Sequence, residues 1–282
     1  MLPGNAEAIE AWNTVLFDKF TRYRDLLTRG LGLHGERALE LHAPRPGQRV
    51  VDIGCGFGDT TIAIGKLVGP EGSAFGVDAA ARFIDSARQD AAGMRNVRFE
   101  VADIEERVPG GPYDLAFSRM GTMFFASPVI ALRNIRKVLA PQGKLCMVVW
   151  RKKDANPCFH EAELAVHGLL GEPPKGDQVT CGPGPFSMAS ADLVGDQLLA
   201  AGYRDLCFER FDALIQIGRD LDDAVAFALA LGPAGEIVRL AGDEAVARRG
   251  EIEATVRKVL EPWLRPDGVW APSSTWIVSA TV

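Results

Sequence analysis

Val50–Thr61, with the sequence VVDIGCGFGDTT, restricts the fold more tightly than any other stretch of the chain. Val50, Val51 and Ile53 make the short apolar run of a buried strand, with Asp52 set among them. Glycine then takes every second position, at Gly54, Gly56 and Gly58. That pattern suits a sharp strand-to-helix turn, where the missing side chains let a ligand lie on the backbone. Asp59, Thr60 and Thr61 open a helix whose apolar positions are Ile62, Ile64, Leu67 and Val68. Its start turns unpaired N–H groups and about half a positive charge toward the glycines, which favours an anionic ligand group.

Residues 48–150 repeat strand and helix with short connections, the pattern of a parallel, doubly wound sheet. Three further strand ends join the glycine turn. Phe75–Ala81 closes a strand on Asp78, twenty residues past Gly58, where an acid on the neighbouring strand accepts ribose hydroxyls. Val97–Glu106 closes another on Ala102, Asp103 and Ile104. Tyr113–Phe125 brings Ser118, Arg119 and Met120 to the carboxyl edge of the sheet, where ligands of open α/β sheets bind. Ser127 and Pro128 suit the start of the next helix, which the spacing carries to Leu139. A Pro141-Gln142-Gly143 turn and an apolar fifth strand, LCMVVW, follow.

The third glycine falls one residue too early for a dinucleotide fingerprint, which disfavours an NAD-linked oxidoreductase. The form found here, with Asp52 two residues ahead of Gly54, resembles motif I of the class I S-adenosylmethionine (SAM) dependent methyltransferases. SRMGTMFFASP, the Ala-Pro-Gln-Gly turn, Trp150-Arg151, Asn156-Pro157 and Pro185-Phe186-Ser187 are similar to the group related to ubiquinone/menaquinone C-methyltransferases. The amino-terminal signature of the quinone enzymes themselves is missing from residues 1–45. The resemblance implies an α/β, Rossmann-like sheet of seven strands, the last antiparallel, with a helical lid and a helical insert.

It also implies SAM as cofactor, S-adenosylhomocysteine (SAH) as product, and a small, aromatic or apolar methyl acceptor. Asp52, Gly54, Cys55, Gly56, Thr60 and Thr61 are then expected around the methionine end of the cofactor. Asp78 and Ala79 take the ribose, Ala102, Asp103 and Ile104 the adenine, and Ser118, Arg119 and Met120 lie beside the sulfonium. Some proteins of this fold use SAM without transferring methyl, and a non-catalytic SAM-binding protein is a further alternative.

Three segments are expected: 1–45, whose aromatic stripe either packs as a helix face or, as the resemblance implies, forms a lid; the core over 46–150; and 151–282, with the last two strands that the resemblance implies and an insert near 219–265. In the first, Ile9, Trp12, Leu16, Phe20, Tyr23 and Leu27 recur at helical steps until Gly30 and Gly32, which are expected to end the helix. A short surface helix from His34 to His42 follows. Trp12, Phe17 and Phe20 from the lid, with Met123 and Phe124, are the expected acceptor contacts. His160, just past the fifth strand, is the candidate base, with His167 seven residues on along the same helix. Arg119 either steers an anionic acceptor or pairs with an acid in the wall.

Composition narrows the partners. A net charge of −6 with only Arg151-Lys152-Lys153 as a basic cluster leaves no duplex footprint, so no nucleic-acid partner is expected. The five cysteines form no C-x-x-C pair and imply neither bridge nor metal site. No signal peptide and no membrane span is read from the sequence, so a cytoplasmic monomer or homodimer is expected.

Overall fold

The computed structural model describes residues 3–171 and 183–282. Cys181 and most of the Gly- and Pro-rich loop expected from Gly171 to Phe186 lie outside the described residues. The strands are β1 (Arg49–Ile53), β2 (Ser73–Asp78), β3 (Val97–Val101), β4 (Tyr113–Arg119), β5 (Leu139–Trp150), β6 (Arg204–Gly218), β7 (Leu264–Arg265) and β8 (Gly268–Thr281). They form one sheet in the order β3-β2-β1-β4-β5-β8-β6, with the two-residue β7 paired to β8. From β3 to β5 the strands are parallel, and β8 runs antiparallel to both β5 and β6. The expected seven-stranded sheet with its reversed last strand is present, and β7 adds a short eighth.

Parallel strands need both faces covered. Helices α4 (Asp59–Val68), α5 (Ala81–Asp90), α6 (Pro128–Lys137) and α8 (Ala191–Ala201) do this with apolar stripes such as Ile64 and Val68, or Leu132 and Ile135, all fully buried. The strand order reverses between β1 and β4, so their carboxyl ends splay apart into a crevice. Close packing at its base is set by glycine. A Cβ on Gly54 would sit 3.0 Å from Gly121 Cα, and one on Gly121 would sit 2.9 Å from the Ile53 carbonyl.

The amino-terminal segment departs from its expected layout. It comprises α1 (Pro3–Ala11), a turn of π-helix (Trp12–Leu16), α2 (Phe17–Arg22) and α3 (Arg24–Leu41), with the break at Tyr23. Helix α3 runs straight through Gly30 and Gly32, where the sequence suggested a stop. The reason is tertiary: Gly30 and Gly35 are the points where α3 touches the sheet. A Cβ on Gly30 would lie 3.2 Å from the Gln216 carbonyl, and one on Gly35 would lie 2.7 Å from Arg119 Cδ. Because Arg119 is held at its far end, Gly35→Ala should push α3 outward and cost about 1–3 kcal/mol, read from a shifted urea midpoint.

His34 is another correction: the short helix expected from it is the carboxyl-terminal part of α3, and His34 lies on the buried face of that helix. His34 is fully buried against Trp150 and Phe211. Its Nε2 bonds Ser273 Oγ at 2.8 Å and its Nδ1 bonds Thr275 Oγ1 at 2.9 Å. The β6–β8 ribbon makes this contact available. Its pairing continues to Gly218–Val269, beyond Thr275, where β8 leaves β5. After β6, α9 (Leu221–Leu231), α10 (Pro233–Ala241), α11 (Asp243–Ala247) and α12 (Arg249–Leu260) form the insert. They pack with α7 (Pro157–Leu170) over the carboxyl edge of the sheet. Among the described residues no single helix is long and apolar enough to cross a membrane.

Candidate active site

A cavity of about 1080 Å³ opens over the crevice between β1 and β4. Its floor is the glycine turn. Gly54, Gly56 and Gly58 all have positive φ, and at Gly58 (φ 79°) a Cβ would also strike Ala87 Cβ and the Phe99 ring at 2.8 Å. Gly58 is therefore required by the backbone and by the packing of α4, and it does not face the cavity. Gly54, Cys55 and Gly56 do. A Cβ on Gly56 would find only Phe83 within 4 Å, so the cavity lies directly on its backbone.

Three acids border this floor. Asp52 is buried, and its Oδ2 accepts the Thr61 hydroxyl at 2.6 Å. Burial pushes its carboxyl up to about 7, against the lowering effect of that hydrogen bond and of Arg119. Asp78 ends β2, with Oδ2 accepting from Gly56 N at 3.0 Å and Oδ1 from Ala80 N at 2.9 Å. Burial raises its pKa as well, while the backbone N–H groups of Ala80 and Gly56 oppose the shift. Asp103 accepts from Asn5 Nδ2 at 2.6 Å and from Glu105 N at 2.9 Å. Each carboxylate keeps lone pairs beyond those used by these donors.

The roof is the amino-terminal segment. Trp12 packs edge-on against Phe124 and Phe20, with centroids at 5.0 and 5.2 Å. Phe17 meets Phe83 at 4.9 Å and Phe57 at 5.9 Å. Arg82 anchors this segment from α5. It pairs with Asp18 at 3.0 Å, bonds the Asn13 carbonyl at 3.3 Å and covers the Phe17 ring at 4.1 Å. On the far side the insert, α7 and the Pro183–Ser187 loop supply Phe159, Phe186, Phe227, Leu231 and Ile237. This outer chamber is predominantly apolar.

Most of the expected site residues converge on the cavity. Asp52, Gly54, Cys55, Gly56, Thr60, Asp78, Ala79, Ala102, Asp103, Ile104, Arg119 and Met120 line it, as do Trp12, Phe20, Met123 and Phe124. Met120 carries φ 59°, unusual for a non-glycine residue, which turns the chain at the end of β4. Four expected residues lie elsewhere. Thr61 is spent on Asp52, and the buried Ser118 donates to the Ile53 carbonyl at 2.8 Å, so neither hydroxyl faces the cavity. Phe17 points into the Phe57–Phe83 cluster instead of the cavity.

His160 sits in the first turn of α7, outside the cavity lining, with its Nδ1 buried and unpartnered among the described residues. Its neighbour Asn156 is structural, donating to the Lys152 and Ser274 carbonyls and accepting from Ser274 N at 2.8 Å. One turn and more along α7, Glu163 and His167 reach the cavity instead. Arg119 takes the second of its two expected roles, pairing with Asp59 at 2.7 Å. Lys19, Gln216, Glu163 and Glu236 line the cavity without having been singled out, because their helices and strands meet only in the folded chain.

Comparison with known proteins agrees with this architecture. Residues 44–170 match a family model described as a methyltransferase domain. Aklanonic acid methyltransferase DauC of Streptomyces sp. (strain C5) is 34% identical over 116 residues, 39% of this chain and 52% of the relative. A demethylmenaquinone methyltransferase of Staphylococcus aureus is 26% identical over 132 residues, 46% of this chain and 50% of the relative. The chain thus spans about half the length of these two curated relatives. In fold it is similar to the YcgJ protein of Bacillus subtilis, with a TM-score of 0.53, 17% identity, and coverage of 89% of this chain and 97% of that one.

Proposed function

We propose that this protein, whose residues 44–170 match the model of a methyltransferase domain, transfers a methyl group from SAM to a small aromatic or apolar molecule. One observation carries the reading: the open glycine turn, Asp78 and Asp103 share a floor with an apolar outer chamber, under one lid. At about 1080 Å³ the cavity exceeds what one drug-sized ligand fills, leaving room for a nucleoside cofactor and an acceptor together. The names of the two curated relatives, for aklanonic acid and demethylmenaquinone, support a small-molecule acceptor.

The residues present fit the cofactor. Asp78 would receive the ribose, Asp103 and Ile104 would border the adenine, and the Gly54–Gly56 backbone with Thr60 would hold the methionine end. When bound, SAM would supply a methyl carbon, its bond to sulfur breaking with the electron pair left on sulfur as an electron pair of the acceptor forms the new bond. The protein's own contribution is alignment and exclusion of water. Trp12 and Phe20 close the roof, while Phe159 and Phe227 offer flat apolar walls that orient a ring against the cofactor end.

The test is titration calorimetry of the purified protein with SAM, SAH and NAD, followed by transfer of labelled methyl to a panel of small aromatic acceptors. One-to-one binding of SAM and SAH, no binding of NAD and label in an aromatic product are expected. Binding of NAD, or of none of the three, would overturn the cofactor assignment.

A further inference from the structure

Charge in this cavity is divided between its two ends. At the floor, Asp78 and Asp103 accept only from a side-chain amide or backbone N–H groups, and neither has an ion-pair partner among the described residues. That end keeps an excess of negative charge, which suits a ligand carrying a sulfonium and an ammonium. In the rest of the lining each carboxylate bound to a cation is neutralised locally. Asp59 meets Arg119 at 2.7 Å, Glu163 meets Lys153 at 2.6 Å, and Glu236 meets Arg239 at 2.7 Å.

Lys19 breaks this pattern. It lines the cavity from α2, is only partly exposed, and has no acidic partner among the described residues. Its position places it at the acceptor end. Tyr23, one helical turn on and bonded through its N–H to the Lys19 carbonyl, packs edge-on against Phe227 of the insert at 5.5 Å. Residues four apart share a helix face, so Lys19 stands between the Trp12–Phe20 roof and the insert. An ammonium bordered by apolar walls and lacking a counter-ion attracts an anion more strongly than a solvated one does.

We infer that the acceptor is an aromatic anion, with its rings against the apolar walls and its charged group on Lys19. This rests on the proposed assignment of the cavity to a cofactor and an acceptor.

The probes are 2-naphthoate and 2-naphthamide, nearly equal in shape and differing by one charge, titrated calorimetrically into the SAH-saturated protein at low salt. SAH saturation is verified first, so failure of the cofactor assignment registers there and separately. Naphthoate is expected to bind about five- to tenfold tighter than the amide, with the preference shrinking as salt rises. Lys19→Met should erase the preference without changing amide or SAH affinity, and Lys19→Arg should retain it. Equal binding of the two probes, tighter binding of the amide, no measurable binding of either, or a preference surviving in Lys19→Met would each overturn the inference.

Discussion

Asp78→Ala is expected to weaken SAH binding by about a hundredfold or more, the largest loss from any single side chain at this site. The carboxylate has two tasks. It fastens the glycine turn to the end of β2 through Gly56 N at 3.0 Å and Ala80 N at 2.9 Å, and it offers its remaining lone pairs to the cavity. Hydrogen bonds to a charged group are worth about 1.5–3 kcal/mol each, and about 1.4 kcal/mol is a factor of ten in affinity. Loss of two such bonds to a ribose therefore spans about 10²- to 10⁴-fold. Asp78→Asn keeps the shape but sets an amide N–H₂ against one of the backbone N–H donors, so it should bind SAH more weakly than the wild type and unfold cooperatively about 1–3 kcal/mol less stable, read from the urea midpoint. If Asp78→Ala bound SAH within fivefold of the wild type, with its fold intact by circular dichroism, the assignment of Asp78 to the cofactor would be wrong.

The floor of the site was legible in the sequence because its signals are local. A strand, alternating glycines and a helix start occupy consecutive residues, and the next two strand ends announce themselves by an acid after an apolar run. Spacing alone does not tell which hydroxyls face a ligand. Thr61 and Ser118 stand at the right places in the chain, yet Asp52 and the Ile53 carbonyl claim them, since a buried polar group binds the partner it finds first. Glycine is ambiguous for a related reason. Gly58 marks a left-handed turn, readable locally, whereas Gly30 and Gly35 mark a close approach to residues far along the chain. In a helical stretch such glycines look like stops.

The acceptor end was least legible. Its walls come from α2, α7, α9, α10 and the loop before α8, and only folding brings Lys19 and Phe227 to one chamber. His160 attracted attention through its place just after β5. The helix it begins turns Glu163 and His167 toward the cavity instead. Phe159, Glu163 and His167, at steps of four, form the row of α7 that lines the cavity, and His160 stands one residue off it; a sequence pattern without a fixed partner helix does not set that phase.

His34 shows the same limit in its extreme form, because its partners stand 239 and 241 residues away. It carries the second large expected effect, on stability and its pH dependence. Burial pushes its imidazole down to about 4, so the native protein holds it neutral while the unfolded chain protonates it near 6.5. Between those values the unfolded state binds more protons, and stability falls as the solution is acidified. The full loss, approached below pH 4, is about 3 kcal/mol.

Asp52 acts in the opposite sense over an overlapping window. Its carboxyl is raised to about 7 from 3.8, so the folded state is the better proton acceptor, and acidification through this range favours folding. The two buried groups offset one another, and the wild-type profile alone conceals both. The difference between wild type and His34→Gln isolates the histidine. At pH 7.5 the variant should be about 1–3 kcal/mol less stable, because the Ser273 and Thr275 hydroxyls lose well-placed partners inside the protein. Toward pH 4.5 the gap should close by about 2–3 kcal/mol and approach or pass zero, as only the wild type must exclude a proton from position 34. Urea titrations of both proteins at those two pH values decide the matter. A gap that stays constant would mean that His34 titrates alike in the folded and unfolded chains, and that burial does not hold it neutral.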